Sequence, residues 1–268
     1  LNANCYGGRA ISRDLQASVG EMLESLHGAG CMPSVVTTAS PAVAIMIKRL
    51  DSGIETRASV NMRIGTVQGM RYLADVFDSF HVQRDVNRDL EQLAALKDWA
   101  DRAGKRLCLL ANSGCLRFCS AQTFHDNLVA HETEVARTEN IEDFAPYACW
   151  HFLRDCAHWA DVLRATWIRP EDIGQYEALG LFDEVKLATR MHERPEAVLR
   201  AYTAERYAGN LLDLFEPGFS PLFAPHIIDN RRFPDDWFEH STRYSREAAD
   251  DPYYERVLDD VLVDVRTL

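Results

Sequence analysis

Short apolar runs alternate with amphipathic segments from the start of the chain to Asn112. Apolar side chains recur at helical spacing from Leu15 to Leu26, and again over residues 41–50, where a proline occupies the first turn. Between the helical segments lie short apolar or β-branched runs, and we predict strands over residues 1–6, 33–38, 54–62, 80–86 and 105–112. Strands and helices that alternate without a hairpin signal predict a parallel sheet with right-handed crossovers, either doubly wound or closed into a barrel.

The second half of the chain follows a different pattern. Residues 115–159 are rich in Cys and His, and no clear strand pattern returns before residues 185–188. We interpret the Cys- and His-rich part as an elaborated loop region. A further amphipathic helix is predicted over residues 196–215.

Composition and charge narrow the class of protein. With 268 residues, 47% of them hydrophobic and 26% charged, the chain can bury a core and is not a low-complexity or disordered protein. Its 29 basic and 41 acidic residues give a net charge of −12, which disfavours nonspecific nucleic-acid binding. No run approaches the roughly 18 apolar residues that a membrane helix needs, so no membrane span is predicted.

The cysteine count and the start of the chain suggest a compartment. Seven cysteines is an odd number in a chain that is large enough to fold without disulfides, which favours a reducing, cytoplasmic environment. The chain opens on Leu1 without the pattern of a secretion signal, and we interpret it as a fragment.

Four of the cysteines are candidate metal ligands. Cys115 and Cys119 are four residues apart and Cys149 and Cys156 are seven apart, so each pair would share one face of a helix. Four converging thiolates are the ligand set of an iron–sulfur cluster or a tetrahedral zinc ion, although these spacings match no ferredoxin or zinc-finger pattern. The alternative is that they are small buried hydrophobes. The same core role is predicted for the remaining cysteines: Cys5, Cys31 and Cys108.

Histidines and charged residues near the strand ends are further candidates. His125 lies in the Cys- and His-rich part, as do three other histidines, and could complete a metal shell or move protons; hydrogen-bonded loop histidines are the alternative. Lys186 and Arg190 bracket the last predicted strand and would present two positive charges to an anionic substrate, unless an acidic neighbour pairs with them. The segment 85–89 follows a strand, where barrel enzymes carry their chemistry; helix capping would explain it equally well.

Several motifs together resemble one known family. They are Asn112-Ser113-Gly114-Cys115-Leu116, Cys119, His125, Asn127, His131, and the segments 167–172 (Trp-Ile-Arg-Pro-Glu-Asp) and 185–190 (Val-Lys-Leu-Ala-Thr-Arg). In this order they are similar to the U32 peptidases, the collagenase-like peptidase family. Upstream segments at 1–4, 39–41, 59–61 and 85–89 also fit, so the resemblance spans nearly the whole chain.

The resemblance implies a TIM-barrel-like fold whose first strands precede Leu1, with the third to eighth strands in this chain. We therefore predict a barrel domain over residues 1–215, with the Cys- and His-rich loop region at 113–166, and a C-terminal extension over 216–268 packed on the barrel. Several members of the family bind a four-cysteine iron–sulfur cluster and support oxygen-independent hydroxylation of ubiquinone precursors or RNA bases. Cys115 and Cys119 match the family segment directly, whereas Cys149 and Cys156 are assigned by proximity.

The leading hypothesis is a cytoplasmic barrel protein with a 4Fe-4S cluster at the carboxyl ends of its strands, supporting an oxygen-independent hydroxylation or a related redox reaction. The cluster ligands would be Cys115, Cys119, Cys149 and Cys156. Lys186 and Arg190 would hold an anionic group, and His125 would transfer protons. The substrate, a small molecule or a polymer, is left open.

Two alternatives come from other classes of protein. The first is a peptidase acting on proteins or peptides, as the family name suggests, although no nucleophile–base pair is visible in the sequence. The second is a non-catalytic subunit that carries a structural cluster or zinc ion and binds a protein partner. RNA modification is a case of the leading hypothesis, but the net charge counts against it unless Arg57, Arg63, Arg84 and Arg88 build a local basic groove.

Overall fold

The computed structural model describes residues 2–131, 147–243 and 251–267. One sheet contains five parallel strands in the order in which they occur along the chain. These are β1 (Val35–Thr38), β2 (Glu55–Ala58), β3 (Ser79–His81), β4 (Arg106–Leu110) and β5 (Glu184–Lys186). Each crossover moves one strand in the same direction, as in a barrel, whereas a doubly wound sheet reverses its order. The predicted TIM-barrel-like fold is confirmed as a partial barrel.

Ion pairs across the concave face show that the sheet is curved. Arg57 on β2 and Glu184 on β5 approach to 2.6 Å, although β3 and β4 lie between their strands. Neighbouring strands are about 4.8 Å apart, so three steps across a flat sheet would measure about 14 Å. Curvature shortens this distance and brings the two side chains together.

Helices cover the outer face of the sheet. In the first half they are α1 (Arg13–Gly28), α2 (Pro41–Leu50), α3 (Val67–Arg71) and α4 (Leu90–Arg102). Each begins at a polar side chain that accepts a backbone N–H: Ser12, Ser40, Thr66 and Asp89. Their apolar stripes face inward, as with Val43, Ala44 and Ile47 of α2, which are completely buried. Hydrophobic burial therefore holds the helices on the sheet.

The second half adds shorter elements. The helices are α5 (Gln122–Ala130), α6 (Ala148–Leu153), α7 (Ile173–Ala178), α8 (Pro195–Thr203), α9 (Ser220–Phe223), α10 (Trp237–Ser241) and α11 (Tyr253–Val261). Two antiparallel strands, β6 (His226–Ile228) and β7 (Leu262–Asp264), pair in the C-terminal part. The buried ring of Trp237 stacks on that of Trp167, with 5.5 Å between centroids. The residues predicted as a C-terminal extension thus share a core with the barrel, and the boundary at residue 215 stays a prediction.

Two sequence predictions about elements are wrong. Residues 2–6 form no strand, because no neighbouring strand pairs with them. The helix predicted over 196–215 ends at Thr203, since Glu205 adopts a left-handed backbone with φ 47° that a helix cannot continue through. A separate 3₁₀ turn, Leu211–Leu214, follows and is capped by the Asn210 side chain.

Within the described residues, the helices are too short or too polar to cross a lipid bilayer.

Candidate functional site

Arg84 connects three loops at the carboxyl ends of the strands. It follows β3, donates from Nη1 to the sulfur of Cys115 after β4 at 3.3 Å, and donates from Nη2 to the side-chain oxygen of Asn61 after β2 at 2.7 Å. Its buried Nε has no hydrogen-bond partner among the described residues. The carboxyl ends of the strands therefore present a fixed guanidinium beside a thiol, in the region where barrel enzymes carry their chemistry.

Backbone conformation in the same loops is unusual. Arg63, after β2, and Phe118, after β4, both adopt left-handed backbone, with φ of 55° and 57°. Such conformations are uncommon for residues other than glycine and are found disproportionately at functional sites.

Three of the four predicted cysteine ligands lie in the same region of the molecule. Burial, together with the nearby Cys115 and Cys119, raises the pKa of Cys149, on α6, to about 11. The three sulfurs therefore lie close enough to interact electrostatically, although α6 is distant along the chain from the loop after β4. Cys156 is exposed at the start of the 3₁₀ segment Cys156–Val162. Residues 132–146 of the predicted loop region lie outside the described residues.

The chemistry of these thiols partly fits a metal centre. Thiolate sulfur is the ligand of iron–sulfur clusters and of structural zinc, and a bound cation would offset the cost of several buried thiolates. Among the residues that the structure describes, no group of three or more His, Cys, Asp or Glu side chains has the arrangement of a metal site. Cys115, Cys119 and Cys149 thus fit a ligand set by the chemistry of their sulfur atoms, but their arrangement in this structure is not that of a formed metal site, and Cys156 is exposed.

His125 lies on α5, within electrostatic range of Arg84. Its ring packs edge-on against the ring of Tyr147, with 4.8 Å between centroids. Burial lowers the pKa of His125, and the charge of Arg84 lowers it further against the opposing effect of Asp126. The neutral imidazole is therefore favoured, and it can accept a proton.

Lys186 and Arg190 occupy different environments. Lys186, at the end of β5, is half-buried on the concave face, and Arg190 is exposed in the turn that follows. Burial lowers the pKa of Lys186, as do the positive charges of Arg84 and Arg190. Lys186 therefore lies on the concave face of the sheet within electrostatic range of Arg84, whereas Arg190 lies at the surface.

A cavity of about 260 Å³ opens on the concave face of the sheet. It is lined by Thr37, Arg57, His81, Glu184, Val185 and Lys186. Of these, Lys186 was predicted from the sequence as a ligand-binding residue, and Arg57 was considered only for an RNA-binding groove. His81 was missed, although polar residues at alternate positions of a strand are a signal that could have indicated it.

The segment after β3 is structural. Asn87 donates to the backbone oxygens of Leu110 and Thr166, both at 2.8 Å, and Asp89 caps α4. Arg88 is 3% exposed and donates to the backbone oxygens of Trp167 and Leu163. The capping alternative is therefore the better interpretation.

The four arginines considered for an RNA-binding groove do not form an exposed basic groove, because Arg57 and Arg88 are both buried.

The motif that carries Cys115 is held by its own first residues. Asn112 donates to the backbone oxygens of Ala188 at 2.7 Å and Leu214 at 2.9 Å, and accepts from the Ala188 N–H at 2.6 Å. A Cβ on Gly114 would lie 2.2 Å from the backbone oxygen of Pro217. The Asn and Gly of the motif therefore position the loop that carries Cys115.

The other thiols and histidines separate into different environments. Cys108 is buried as predicted, Cys5 is half-buried, and Cys31 is exposed beyond the end of α1, so the core prediction is wrong for Cys31. His158 stacks on the ring of Phe152 and contacts its backbone oxygen at 2.9 Å, as the hydrogen-bonded alternative predicts.

Comparison with known proteins gives three results. No family model matches the chain. The uncharacterized protease MJ1657 of Methanocaldococcus jannaschii is 24% identical over 242 residues, which cover 86% of this chain and 67% of that protein. The solved structure of the U32 peptidase Mk0906 is 19% identical, has a TM-score of 0.49, and covers 70% of this chain and 67% of that one. The chain is similar to U32 peptidases, as its motifs predict.

Proposed function

We propose that this U32 peptidase-like protein binds an iron–sulfur cluster through Cys115, Cys119 and Cys149 and supports an oxygen-independent hydroxylation or a related redox reaction. The observation that carries the proposal is the meeting of these thiols from two distant segments at the carboxyl ends of the strands. Core cysteines need only apolar neighbours, whereas the sulfur of Cys115 accepts a hydrogen bond from the guanidinium of Arg84. A bound cluster would supply electron transfer.

The chain's own residues would prepare the site. Arg84 orients the Cys115 side chain by a hydrogen bond to its sulfur. The neutral imidazole of His125 would accept a proton from the substrate or from an activated water. The fourth ligand is proposed to be Cys156, an exposed thiol at the start of the 3₁₀ segment Cys156–Val162.

Metal analysis under anaerobic conditions tests the proposal. Protein purified without oxygen is expected to contain iron and acid-labile sulfide and to show the broad visible absorption of a cluster. Cys115→Ser and Cys149→Ser should lose most of both, whereas Cys31→Ser, which alters an exposed thiol on another part of the molecule, should keep them.

The results separate the three classes of function. Iron that survives in both ligand variants, or native protein with neither iron nor sulfide, would contradict the cluster. Zinc without sulfide would support the structural-metal alternative. Loss of iron in Cys156→Ser would identify the fourth ligand.

A peptidase is the second candidate, since a relative is named a protease and Cys115 and His125 lie in the same region of the barrel. A cysteine peptidase requires a thiol that donates to a base. In the described structure the partner seen for the Cys115 sulfur is Arg84 rather than His125. Peptide cleavage by metal-free protein, lost in both Cys115→Ala and His125→Ala, would establish this activity in place of the redox function.

A further inference from the structure

The concave face of the sheet carries charged and polar side chains where barrel interiors are usually filled by branched apolar ones. Arg57 extends from β2, His81 from β3, and Glu184 and Lys186 from β5, and all four line the cavity of about 260 Å³. A volume below that of typical drug-sized pockets suits a ligand of a few carbon atoms. The charges on this face therefore define what such a ligand can be.

Most of these charges neutralise one another. Arg57 donates to both carboxylate oxygens of Glu184, at 2.6 and 2.8 Å, and to Glu55 at 2.9 Å. Arg106 forms ion pairs with the same two carboxylates. Two guanidinium groups and two carboxylates thus form a closed network with no net charge.

Lys186 is a charged residue of the cavity lining that does not belong to this network. Its ammonium nitrogen has no hydrogen-bond or ion-pair partner within the described parts of the chain, although the side chain is half-buried. Glu216 is an acidic residue that acts on Lys186 electrostatically, and its carboxylate accepts from the Met191 N–H. An unpaired ammonium at a cavity wall favours an anionic group of the ligand.

His81 supplies a hydrogen-bond acceptor to the same cavity. Its Nδ1 lies 3.1 Å from the backbone oxygen of Ala58, so Nδ1 carries the proton and Nε2 is left with a lone pair. Burial and the charge of Lys186 lower the pKa of His81 to about 4, which keeps the ring neutral at physiological pH. A ligand in the cavity can therefore donate a hydrogen bond to His81.

We propose that this cavity binds a small monocarboxylate that also carries a hydroxyl group. The carboxylate pairs with the ammonium of Lys186, and the hydroxyl group donates to Nε2 of His81. The negative charge of the ligand balances the ammonium of Lys186, the cation of the cavity lining that no carboxylate of the described residues pairs with. No cysteine lines the cavity, so this proposal does not depend on whether the protein binds a metal.

Three isosteric probes test both contacts: L-lactate, propionate, which lacks the hydroxyl, and lactamide, which lacks the charge. Binding to the full chain is measured by ligand-observed NMR titration. L-lactate is expected to bind about tenfold or more tightly than either analogue, because each analogue leaves one polar group of the site unpaired.

Variants identify the residues responsible. Lys186→Met keeps the length of the side chain and should weaken L-lactate binding about tenfold or more, while Arg49→Met, at an exposed position of α2, should not change it. His81→Phe should remove the preference for L-lactate over propionate. Thermal melts confirm that each variant is folded, and Lys186→Met should melt no lower than the native chain because it removes an unpaired, half-buried charge.

Some results would overturn the proposal. These are equal affinity for the three probes, undiminished L-lactate binding in Lys186→Met, and no detectable binding of any probe to native protein. Equally tight binding of chloride or sulfate would show a nonspecific anion site and would also contradict it.

Discussion

Buried titratable residues make the stability of this protein depend on pH. The folded pKa of His81 is about 4, lowered chiefly by burial, against about 6.5 in the unfolded chain. Between these values the unfolded chain binds the additional proton, so stability rises with pH through this window and is lost as the pH falls. Asp172 acts in the opposite direction, because burial raises its pKa to about 6.

We expect His81→Gln to change this pH dependence. On going from pH 7 to pH 5, the free energy of unfolding of the native chain should fall by about 2 kcal/mol more than that of the variant. Urea unfolding at the two pH values measures the difference, and subtraction removes the common effect of Asp172. His151→Gln, at an exposed position, should behave like the native chain; identical slopes for His81→Gln and native protein would contradict the assignment.

Individual residues were predictable where a motif named them. Cys115, Cys119 and His125 lie at the carboxyl ends of the strands, where the motifs place them. His81 was not predictable as a cavity residue, because its role depends on which face of a three-residue strand turns inward and on the curvature that places Lys186 near it. For Cys156, helical spacing predicted a shared helix face with Cys149, but the helix ends at Leu153 and a 3₁₀ segment begins at Cys156.

At the scale of elements, the hydrogen bonds of one side chain join segments that lie outside the strands of the sheet. Asn112 follows β4, is completely buried, and joins the backbone at Ala188 to that at Leu214 by three hydrogen bonds. These contacts hold the segments after β4 and β5 and the turn before Pro217 together. The loop that carries Cys115 starts from this anchored point.

Asn112→Ala should therefore destabilise the protein by about 3 kcal/mol, because it removes three hydrogen bonds and leaves buried backbone groups unpaired. Chemical denaturation measures the loss. Asn127→Ala, an exposed substitution on α5, should stay within about 0.5 kcal/mol of native. A loss in Asn112→Ala no larger than that of the control would show that the hydrogen bonds do not contribute.

The alternation of helices and strands in the first half was predictable, since each helix has an apolar stripe and a polar cap. Prediction failed where pairing or backbone geometry decides. Residues 2–6 alternate polar and apolar side chains at first but have no strand beside them. The helix that begins at Pro195 ends before Glu205, which adopts a left-handed backbone, although apolar residues continue at helical spacing.

At the scale of the whole molecule, aromatic stacking joins the C-terminal part to the barrel. Trp237 is 1% exposed and stacks on Trp167, while the guanidinium of Arg88 lies 4.2 Å from the Trp167 ring and 5.3 Å from the Trp237 ring. A cation held between rings in a buried site strengthens this contact. The two parts should therefore unfold together.

Trp237→Ala is expected to lower the stability of the whole chain by about 3–5 kcal/mol, the usual loss for a large buried aromatic side chain. Calorimetry should show one transition at a lower temperature, with no barrel transition left at the native value. Leu199→Ala, at an exposed position of α8, is the matched control. Two separated transitions in the Trp237 variant would show that the parts fold independently.

The order of the strands in the sheet was predictable only in part. Alternation favours parallel strands, but the order of those strands depends on which way each crossover turns, and the sequence left the barrel and the doubly wound sheet as equal alternatives. The family motifs decided between them, and the strand order agrees with the barrel.

The network of Arg57 with Glu184 spans three strand spacings and so ties the two sides of the arc. The curvature of the sheet and the balance of charges on its concave face therefore both depend on this ion pair. A charge-altering substitution at either residue would let the arc relax and would also free a second charge beside Lys186. Natural variation at these positions is then expected to occur in compensating pairs, with a change at one position accompanied by a change at the other.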